Sequence, residues 1–219
     1  MVYYSFQDKF KGMLPIGKII CLIRSYKKHA EEMGSDPTDT PLFFLKPSSA
    51  VIFSGDSIVI PSQSHCLHHE VEVGVVIGTR GKEIPKTSAL DHILGYVIGL
   101  DITARDIQDE AKKHSWPWSI AKGFDTFAPL SDVVLKEKIS APNDLDFSLE
   151  INSVLRQKGN TRFLFWSIER IISDISACMT LEPGDLILTG TPEGVGKLQK
   201  GDRLRAQLSS EVELSVDVT

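Results

Sequence analysis

Acids and valines alternate in His68-His69-Glu70-Val71-Glu72-Val73-Gly74. In a strand, successive side chains point to opposite faces, so Glu70 and Glu72 project to one side and Val71 and Val73 to the other. Two carboxylates about 7 Å apart along a strand repel each other unless water or a cation lies between them. A solvated strand face would account for the pair by itself, and two further features favour a cation. Gly74 continues the acidic face without a side chain, leaving room for something to approach, and Asp101 ends a separate apolar strand, where a lone acid is unusual. Three hard oxygen donors with open positions suit Mg2+ or Mn2+, which keep waters and take substrate oxygens. Zinc on His65, Cys66, His68 and His69 is the competing idea. It crowds every ligand into one short segment with no matching second pair, and ranks well below the carboxylate set.

Other polar groups could serve such a centre. Arg24, Tyr26, His29 and Glu32 directly follow a buried strand. His29 and Glu32 are three apart, so on a helix they share a face and could form a dyad that holds a water as general base. An exposed helix with a chance pair is the plainer explanation. Arg105 and Gln108 have the same spacing just downstream of Asp101. Lys122 lies among apolar and aromatic residues in Trp118-Ser119-Ile120-Ala121-Lys122-Gly123-Phe124-Asp125, where a lysine either snorkels to water or is desolvated for use. Thr189-Gly190-Thr191-Pro192-Glu193-Gly194-Val195-Gly196-Lys197 fails as a phosphate loop, because Thr191 stands where the first Gly belongs, and no helical pattern follows it. It can still present backbone N–H groups and the Thr191 hydroxyl to a small carboxylate.

These residues need elements to hold them. Short strands are expected at 18–23, 42–46, 57–60, 70–77, 96–100, 145–151, 186–189 and 203–208, with turns at Pro47, Gly55-Asp56, Pro183-Gly184-Asp185 and Lys200-Gly201-Asp202. Helical character falls at 25–33, at 88–94 closing on Gly95, at 104–113, and most strongly at 167–179. There Ile168, Ile171, Ile172, Ile175, Cys178 and Met179 form a core stripe. Residues 35–41 are an exposed loop. Strands dominate without alternating regularly with long helices, which disfavours a doubly wound parallel sheet and favours an α+β fold on a curled, mainly β core.

A chain of 219 residues is one domain's length. Lys plus Arg number 24 against 29 Asp plus Glu, a net charge of -5 with no dense basic run, so no nucleic-acid partner is expected. Cys21, Cys66 and Cys178 form no CxxC pair or disulfide framework, which favours a reducing compartment. The start of the chain carries no secretory pattern. The apolar run at residues 19–23 is far short of the ~20 needed to span a membrane, so no membrane partner is expected. The location expected is the cytoplasm, or the mitochondrial matrix if a leader has been removed.

In their order, these segments resemble the fumarylacetoacetate hydrolase superfamily, in its small single-domain branch of acylpyruvases and oxaloacetate decarboxylases. The matching stretches are Arg24-Ser25-Tyr26 through His29-Ala30-Glu31-Glu32-Met33-Gly34, Phe44-Leu45-Lys46-Pro47, and His68-His69-Glu70-Val71-Glu72. They continue with Leu100-Asp101-Ile102-Thr103-Ala104-Arg105-Asp106-Ile107-Gln108, Lys122-Gly123-Phe124-Asp125, and Pro183-Gly184-Asp185 through Thr189-Gly190-Thr191-Pro192-Glu193-Gly194-Val195-Gly196. Each is weak alone, and the ordered set is highly specific. The resemblance implies one catalytic domain over 1–219 with 1–15 as an N-terminal extension, a mixed β-sandwich roll with a few flanking helices, and a homodimer. By the same resemblance Glu70, Glu72 and Asp101 would hold Mg2+ or Mn2+, with His29 and Glu32 as the water-activating dyad and Lys122 and Gln108 at the reacting carbons. Arg24, Tyr26, Lys46, Arg105 and Thr191 would contact the substrate. Ile23 and Ser25 depart from the usual Gly and Asn beside Arg24 and Tyr26, so they bear on specificity more than on metal binding.

The reaction so implied is metal-assisted C–C bond cleavage of small 2-oxo acids by a hydrolase or lyase: acylpyruvate hydrolysis to pyruvate and a carboxylate, oxaloacetate decarboxylation, or both, through a stabilised enolate. Oxaloacetate keto–enol tautomerisation is the nearest rival, and 2-oxo-pentenoate hydration or isomerisation a more distant one. A non-catalytic metal- or ligand-binding protein on the same scaffold is the alternative of a different class, and retention of the ligands, the dyad and Lys122 argues against it.

Overall fold

A computed structural model of the chain describes residues 1–7, 12–27 and 38–219. The chain runs through β1 (Ile19–Ile23), β2 (Leu42–Lys46), β3 (Val51–Phe53), β4 (Ser57–Ile58), β5 (Leu67–His69), β6 (Val71–Ile77), β7 (Ile93–Leu100) and β8 (Thr103–Ala104). Helices α1 (Arg105–His114) and α2 (Ser119–Lys122) follow, then β9 (Ala128–Leu130), β10 (Val134–Leu135), β11 (Asp146–Ile151) and β12 (Val154–Asn160). Helix α3 (Ile168–Cys178) precedes β13 (Leu186–Leu188), β14 (Gly196–Lys197), β15 (Arg203–Leu208) and β16 (Val212–Val218).

The largest sheet has the order β2-β1-β13-β6-β7-β9-β3, with β10 joined to β7. Its centre is the antiparallel pair β6–β7, which runs from Val71 opposite Leu100 to Ile77 opposite Ile93. Every residue of β6 is buried, which its uniformly apolar end reflects, because a strand covered on both faces needs no polar alternation. The second sheet, β12-β11-β15-β16-β4, behaves differently. Burial alternates along β16 and β15, so each buries one face and leaves the other in water. Val71, Val73, Val75 and Ile77 of β6 join Phe147, Leu149, Leu204, Ala206, Leu214 and Val216 of that sheet and the Ile168, Ile171, Ile172 and Ile175 stripe of α3 in the main core. On the other side of β6, Val76 packs with Tyr4, Ile19, Cys21, Val97, Leu186 and Leu188 in a second cluster. This curled, mainly β arrangement with few helices is the α+β roll expected.

Three local expectations need correction. Residues 88–94 do not close a helix at Gly95: a 3-10 segment covers Lys86–His92, and Ile93, Leu94 and Gly95 open β7. A Cβ on Gly95 would lie 2.3 Å from the Val134 carbonyl oxygen, so this glycine permits the β7–β10 pairing rather than ending a helix. Gly74 does not open a ligand space either. A Cβ there would meet Val97 Cγ2 at 2.6 Å and Leu186 Cδ1 at 2.9 Å, so the missing side chain is filled by core. In α3 Cys178 leaves the stripe and is exposed, whereas Met179, just past the helix, is half-buried against the main core. No helix among the described residues is long and apolar enough to cross a membrane.

Candidate metal centre and cleft

Glu70 sits between β5, in a third sheet of order β14-β5-β8, and β6, in the largest. Asp101 follows the last residue of β7, and the Val71–Leu100 pairing brings it level with Glu70. A hydrogen bond from the Asp101 N–H to the Glu70 carbonyl, 2.8 Å, closes the register. Glu72 follows two residues along β6. All three acids are buried, and one carboxylate oxygen of each lies within 4.8 Å of the others.

Three cations surround them unevenly. Lys122 Nζ, delivered by α2, donates to Glu70 Oε2 at 2.9 Å and Asp101 Oδ2 at 2.5 Å, and lies 4.9 Å from the Phe44 ring centre. Lys46 Nζ, from the end of β2, donates to Asp101 Oδ1 at 2.6 Å and the Ile102 carbonyl at 3.1 Å. Arg105 opens α1, and its guanidinium bonds Glu70 Oε1, Gln108 Oε1 at 2.5 Å and His68 Nδ1 at 3.3 Å.

Burial pushes the Glu70 carboxyl up, but Lys122 and Arg105 outweigh it and hold this acid well below the usual carboxylate range. Burial likewise acts to lower Lys122, and the charges of Asp101 and Glu70 reverse that, so it stays an ammonium. Glu72 is the exception. Burial, then the charges of Asp101 and Glu70, raise it well above its ordinary value. Its hydrogen-bond partner among the described residues is the Gly190 N–H, at 2.7 Å. A buried carboxylate facing two others without an ammonium or guanidinium bond of its own is what a divalent cation would satisfy, and the all-oxygen set fits Mg2+ or Mn2+. The zinc alternative does not assemble. His69 Nδ1 is bonded to Gln157 and His68 Nδ1 to Arg105, and the three acids are the one metal-capable cluster among the described residues.

The carboxylates line a small cleft open to solvent. Arg24, Arg105, Gln108, Lys122 and Thr191 line it, together with Lys112. Lys112 was missed, although Arg105, Gln108 and Lys112 at i, i+3 and i+7 share a helix face. Leu22, Ile23, Phe44 and Trp118 form the apolar wall, with the Phe44 and Trp118 rings edge-to-face at 5.9 Å. Two expected substrate contacts lie elsewhere. Lys46 stands behind Asp101, out of the cleft, and Tyr26 packs its ring 6.0 Å from Phe147 and borders a neighbouring cavity. Ser25 is fully buried and donates to the Thr189 carbonyl at 2.5 Å, so of the two departures from the family pattern Ile23 alone faces the cleft. In the glycine-rich segment, the Gly190 N–H is taken by Glu72 rather than offered to a ligand. Gly190 has φ 91°, and a Cβ there would fall 1.8 Å from Ser25 Oγ, so the position requires glycine twice over. His29 and Glu32 lie outside the described residues.

The helix that carries Arg105 is itself clamped. Asp106 accepts from Ser64 Oγ at 2.6 Å, the His65 N–H at 2.7 Å and the Ile107 N–H at 3.0 Å. Burial is the largest single influence on this carboxyl and raises it, but those donors, led by His65, together take it below its ordinary value. Its stabilising contribution is therefore present above the unfolded pKa of about 3.9 and lost as pH falls through the lower folded value. Asp106→Asn is expected to lose about 1 kcal/mol at pH 7, the partial exposure limiting the figure, and to show a smaller deficit at pH 3, below the unfolded value. Urea unfolding at the two pH values checks this, and an unchanged deficit at pH 3 would refute it.

Residues 18–219 match the family model described as fumarylacetoacetate (FAA) hydrolase C-terminal. The mitochondrial oxaloacetate tautomerase of Rattus norvegicus is 45% identical over 200 residues, 91% of this chain and 90% of that protein. A mitochondrial oxaloacetate decarboxylase of Dictyostelium discoideum is 41% identical over 203 residues, 92% and 93% of the two chains. Among solved structures, fumarylpyruvate hydrolase from Pseudomonas aeruginosa in complex with Mn2+ and pyruvate superposes with a TM-score of 0.94 at 36% identity, covering 100% of this chain and 95% of that one. The register that brings Glu70, Glu72 and Asp101 together thus belongs to a chain whose near relatives are enzymes of small 2-oxo acids, and this chain is a member of the fumarylacetoacetate hydrolase C-terminal family.

Proposed function

We propose that the protein is a Mg2+- or Mn2+-dependent enzyme that forms the enolate of small 2-oxo acids, with oxaloacetate keto–enol tautomerisation as its first activity. The observation that carries the proposal is the buried Glu70–Glu72–Asp101 set in a cleft that Arg24, Arg105, Lys112 and Lys122 also line. Glu70, Glu72 and Asp101 would hold the cation, which when bound supplies Lewis-acid stabilisation of the charge on an enolate.

The chain's own residues supply the rest. Arg24, Lys112 and Thr191 bind the carboxylates of the diacid, and Phe44, Trp118 and Ile23 exclude water from its reacting end. Lys122, held as an ammonium by Asp101 and Glu70 in the metal-free protein, is assigned to offset negative charge and not to remove the proton at C3. That task falls to His29, oriented by Glu32, which takes the proton from C3 and delivers it to the 2-oxo oxygen to give the enol, the reverse transfer giving the keto form. C–C cleavage is the second reading, supported by the likeness to the fumarylpyruvate hydrolase. The same dyad would activate a water against the distal carbonyl of an acylpyruvate, whereas loss of CO2 from oxaloacetate requires no water. A homodimer completes the proposal, supported by β2, which lies at the edge of the largest sheet among the described residues and leaves Leu42 and Leu45 46% exposed.

The test is a Mg2+-dependent assay of oxaloacetate and short acylpyruvates that follows enol absorbance, CO2 and pyruvate separately. Accelerated enol decay without CO2 supports the tautomerase reading, and no acceleration of any of the three overturns the proposal. His29→Ala is expected to lower tautomerisation and acylpyruvate hydrolysis by about 100-fold or more while sparing decarboxylation. Equal loss of all three activities would contradict that division. Ile23→Ala should shift kcat/KM toward a bulkier acyl group by about tenfold, the scale of a small volume change in an apolar wall. An unchanged ratio between short and long acylpyruvates would remove Ile23 from specificity.

A further inference from the structure

Gln157 is the one buried residue between Val154 and Lys158 on β12, and it belongs to the second sheet rather than to the strands that carry the acids. Its amide is fully used. Oε1 accepts from the Val71 N–H at 3.1 Å and from His69 Nδ1 at 2.9 Å, while Nε2 donates to the Pro192 carbonyl at 3.1 Å and to Thr191 Oγ1 at 2.8 Å. Two of these partners have fixed roles. A backbone N–H can only donate and a carbonyl can only accept, so Val71 and Pro192 settle which end of the amide is oxygen. His69 Nδ1 therefore carries a proton, and Thr191 Oγ1 is an acceptor toward Gln157. The hydroxyl's own proton is left free to point elsewhere, and it donates to no acceptor among the described residues. Thr191 lines the cleft.

From this we infer that Gln157 is a positioning residue: by filling the acceptor side of the Thr191 hydroxyl, it commits that hydroxyl to donate into the cleft, toward the carboxylate of a bound 2-oxo acid. The inference rests on Thr191 being a substrate contact, as proposed above. The amide also ties Val71, between Glu70 and Glu72, to the Thr191–Pro192 turn, so the hydroxyl is held in register with the acidic floor.

The test is a double-mutant cycle on the Mg2+-loaded protein with oxalate, a small planar dicarboxylate, as the probe in calorimetry. Gln157→Leu and Thr191→Val are each expected to weaken oxalate about tenfold, the scale of one hydrogen bond to a charged group. The double variant should be no weaker than Thr191→Val alone, and Mg2+ affinity should stay within about twofold. In turnover, KM for oxaloacetate should rise with kcat little changed, and Thr191→Ser should retain oxalate binding. Gln157→Glu is run in parallel because it keeps the oxygen that Val71 and His69 bond, while its second oxygen draws the Thr191 proton away from the cleft. It should weaken oxalate at least as much as Gln157→Leu. If Gln157→Leu weakens oxalate equally with and without Thr191→Val, or Mg2+ affinity falls in parallel, the positioning role is overturned. If Thr191→Val leaves oxalate binding unchanged, the substrate-contact reading itself fails.

Discussion

Glu72→Gln is expected to abolish high-affinity binding of Mg2+ and Mn2+ while leaving the metal-free fold at least as stable as wild type. The two halves of this result have one cause. Glu72 is buried against Glu70 and Asp101, and those charges with desolvation raise its carboxyl well above the ordinary range. Without a cation, the ionised side chain is thus an electrostatic cost, and an amide of the same shape removes it. The amide oxygen can still accept from the Gly190 N–H, so the turn that presents Thr191 keeps its anchor. With a cation, the same substitution takes away a first ligand. Even outer partners of metal ligands are worth 10–100-fold in affinity, so the loss should exceed about 100-fold. Calorimetric titration with Mn2+ and urea unfolding in chelator measure the two halves. Retained Mn2+ affinity would remove Glu72 from the ligand set, and a marked loss of metal-free stability would show that its charge is already compensated.

Wild-type protein has a related signature. Ligands must be deprotonated to bind, so a carboxyl whose hold on its proton is strengthened by burial and by Asp101 and Glu70 makes proton and cation compete. Affinity should rise with pH through the titration of Glu72.

Much of this centre was legible in the sequence because its parts lie on regular elements. Period-2 alternation put Glu70 and Glu72 on one side, an apolar run ending in an acid marked Asp101, and helical spacing joined Arg105 to Gln108. The failures have physical reasons too. Gly74 looked like open space because a sequence shows a missing side chain but not the Val97, Leu186 and Leu188 atoms that occupy its place. Residues 88–94 carried helical composition, yet Ile93 pairs with Ile77 and Gly95 with Leu135, and tertiary pairing prevailed over local preference. Gln157 lies in Val154-Leu155-Arg156-Gln157-Lys158, a polar stretch whose burial pattern breaks step with its neighbours, and only its partners across the sheets mark it. The unlike roles of Lys46 and Lys122 were equally hidden, since both are lysines beside aromatic residues and their separation depends on which side of Asp101 each approaches.

That arrangement around Asp101 makes Asp101→Ala the most damaging single substitution expected in the chain, and its damage should precede any question of metal. The carboxylate takes Lys46 Nζ on one oxygen and Lys122 Nζ on the other, and all three side chains are buried. Among the described residues, alanine would leave Lys46 hydrogen-bonded to the Ile102 carbonyl alone and Lys122 to Glu70 alone. Stranding one partner of a buried ion pair costs about 3–5 kcal/mol, a large share of a domain's total stability of roughly 5–15 kcal/mol. The metal-free variant should therefore unfold at clearly lower urea than wild type, the reverse of Glu72→Gln, although both lose a ligand and both should lose turnover. Asp101→Asn should fall between them, because its amide oxygen keeps one lysine partnered and its charge is gone. Lys46→Met in the Asp101→Ala background should recover part of the loss by removing one of the stranded ammonium groups. If Asp101→Ala were as stable as wild type in chelator, water would have to reach both lysines, and the reading of Lys46, Asp101 and Lys122 as a buried, mutually dependent group would be wrong.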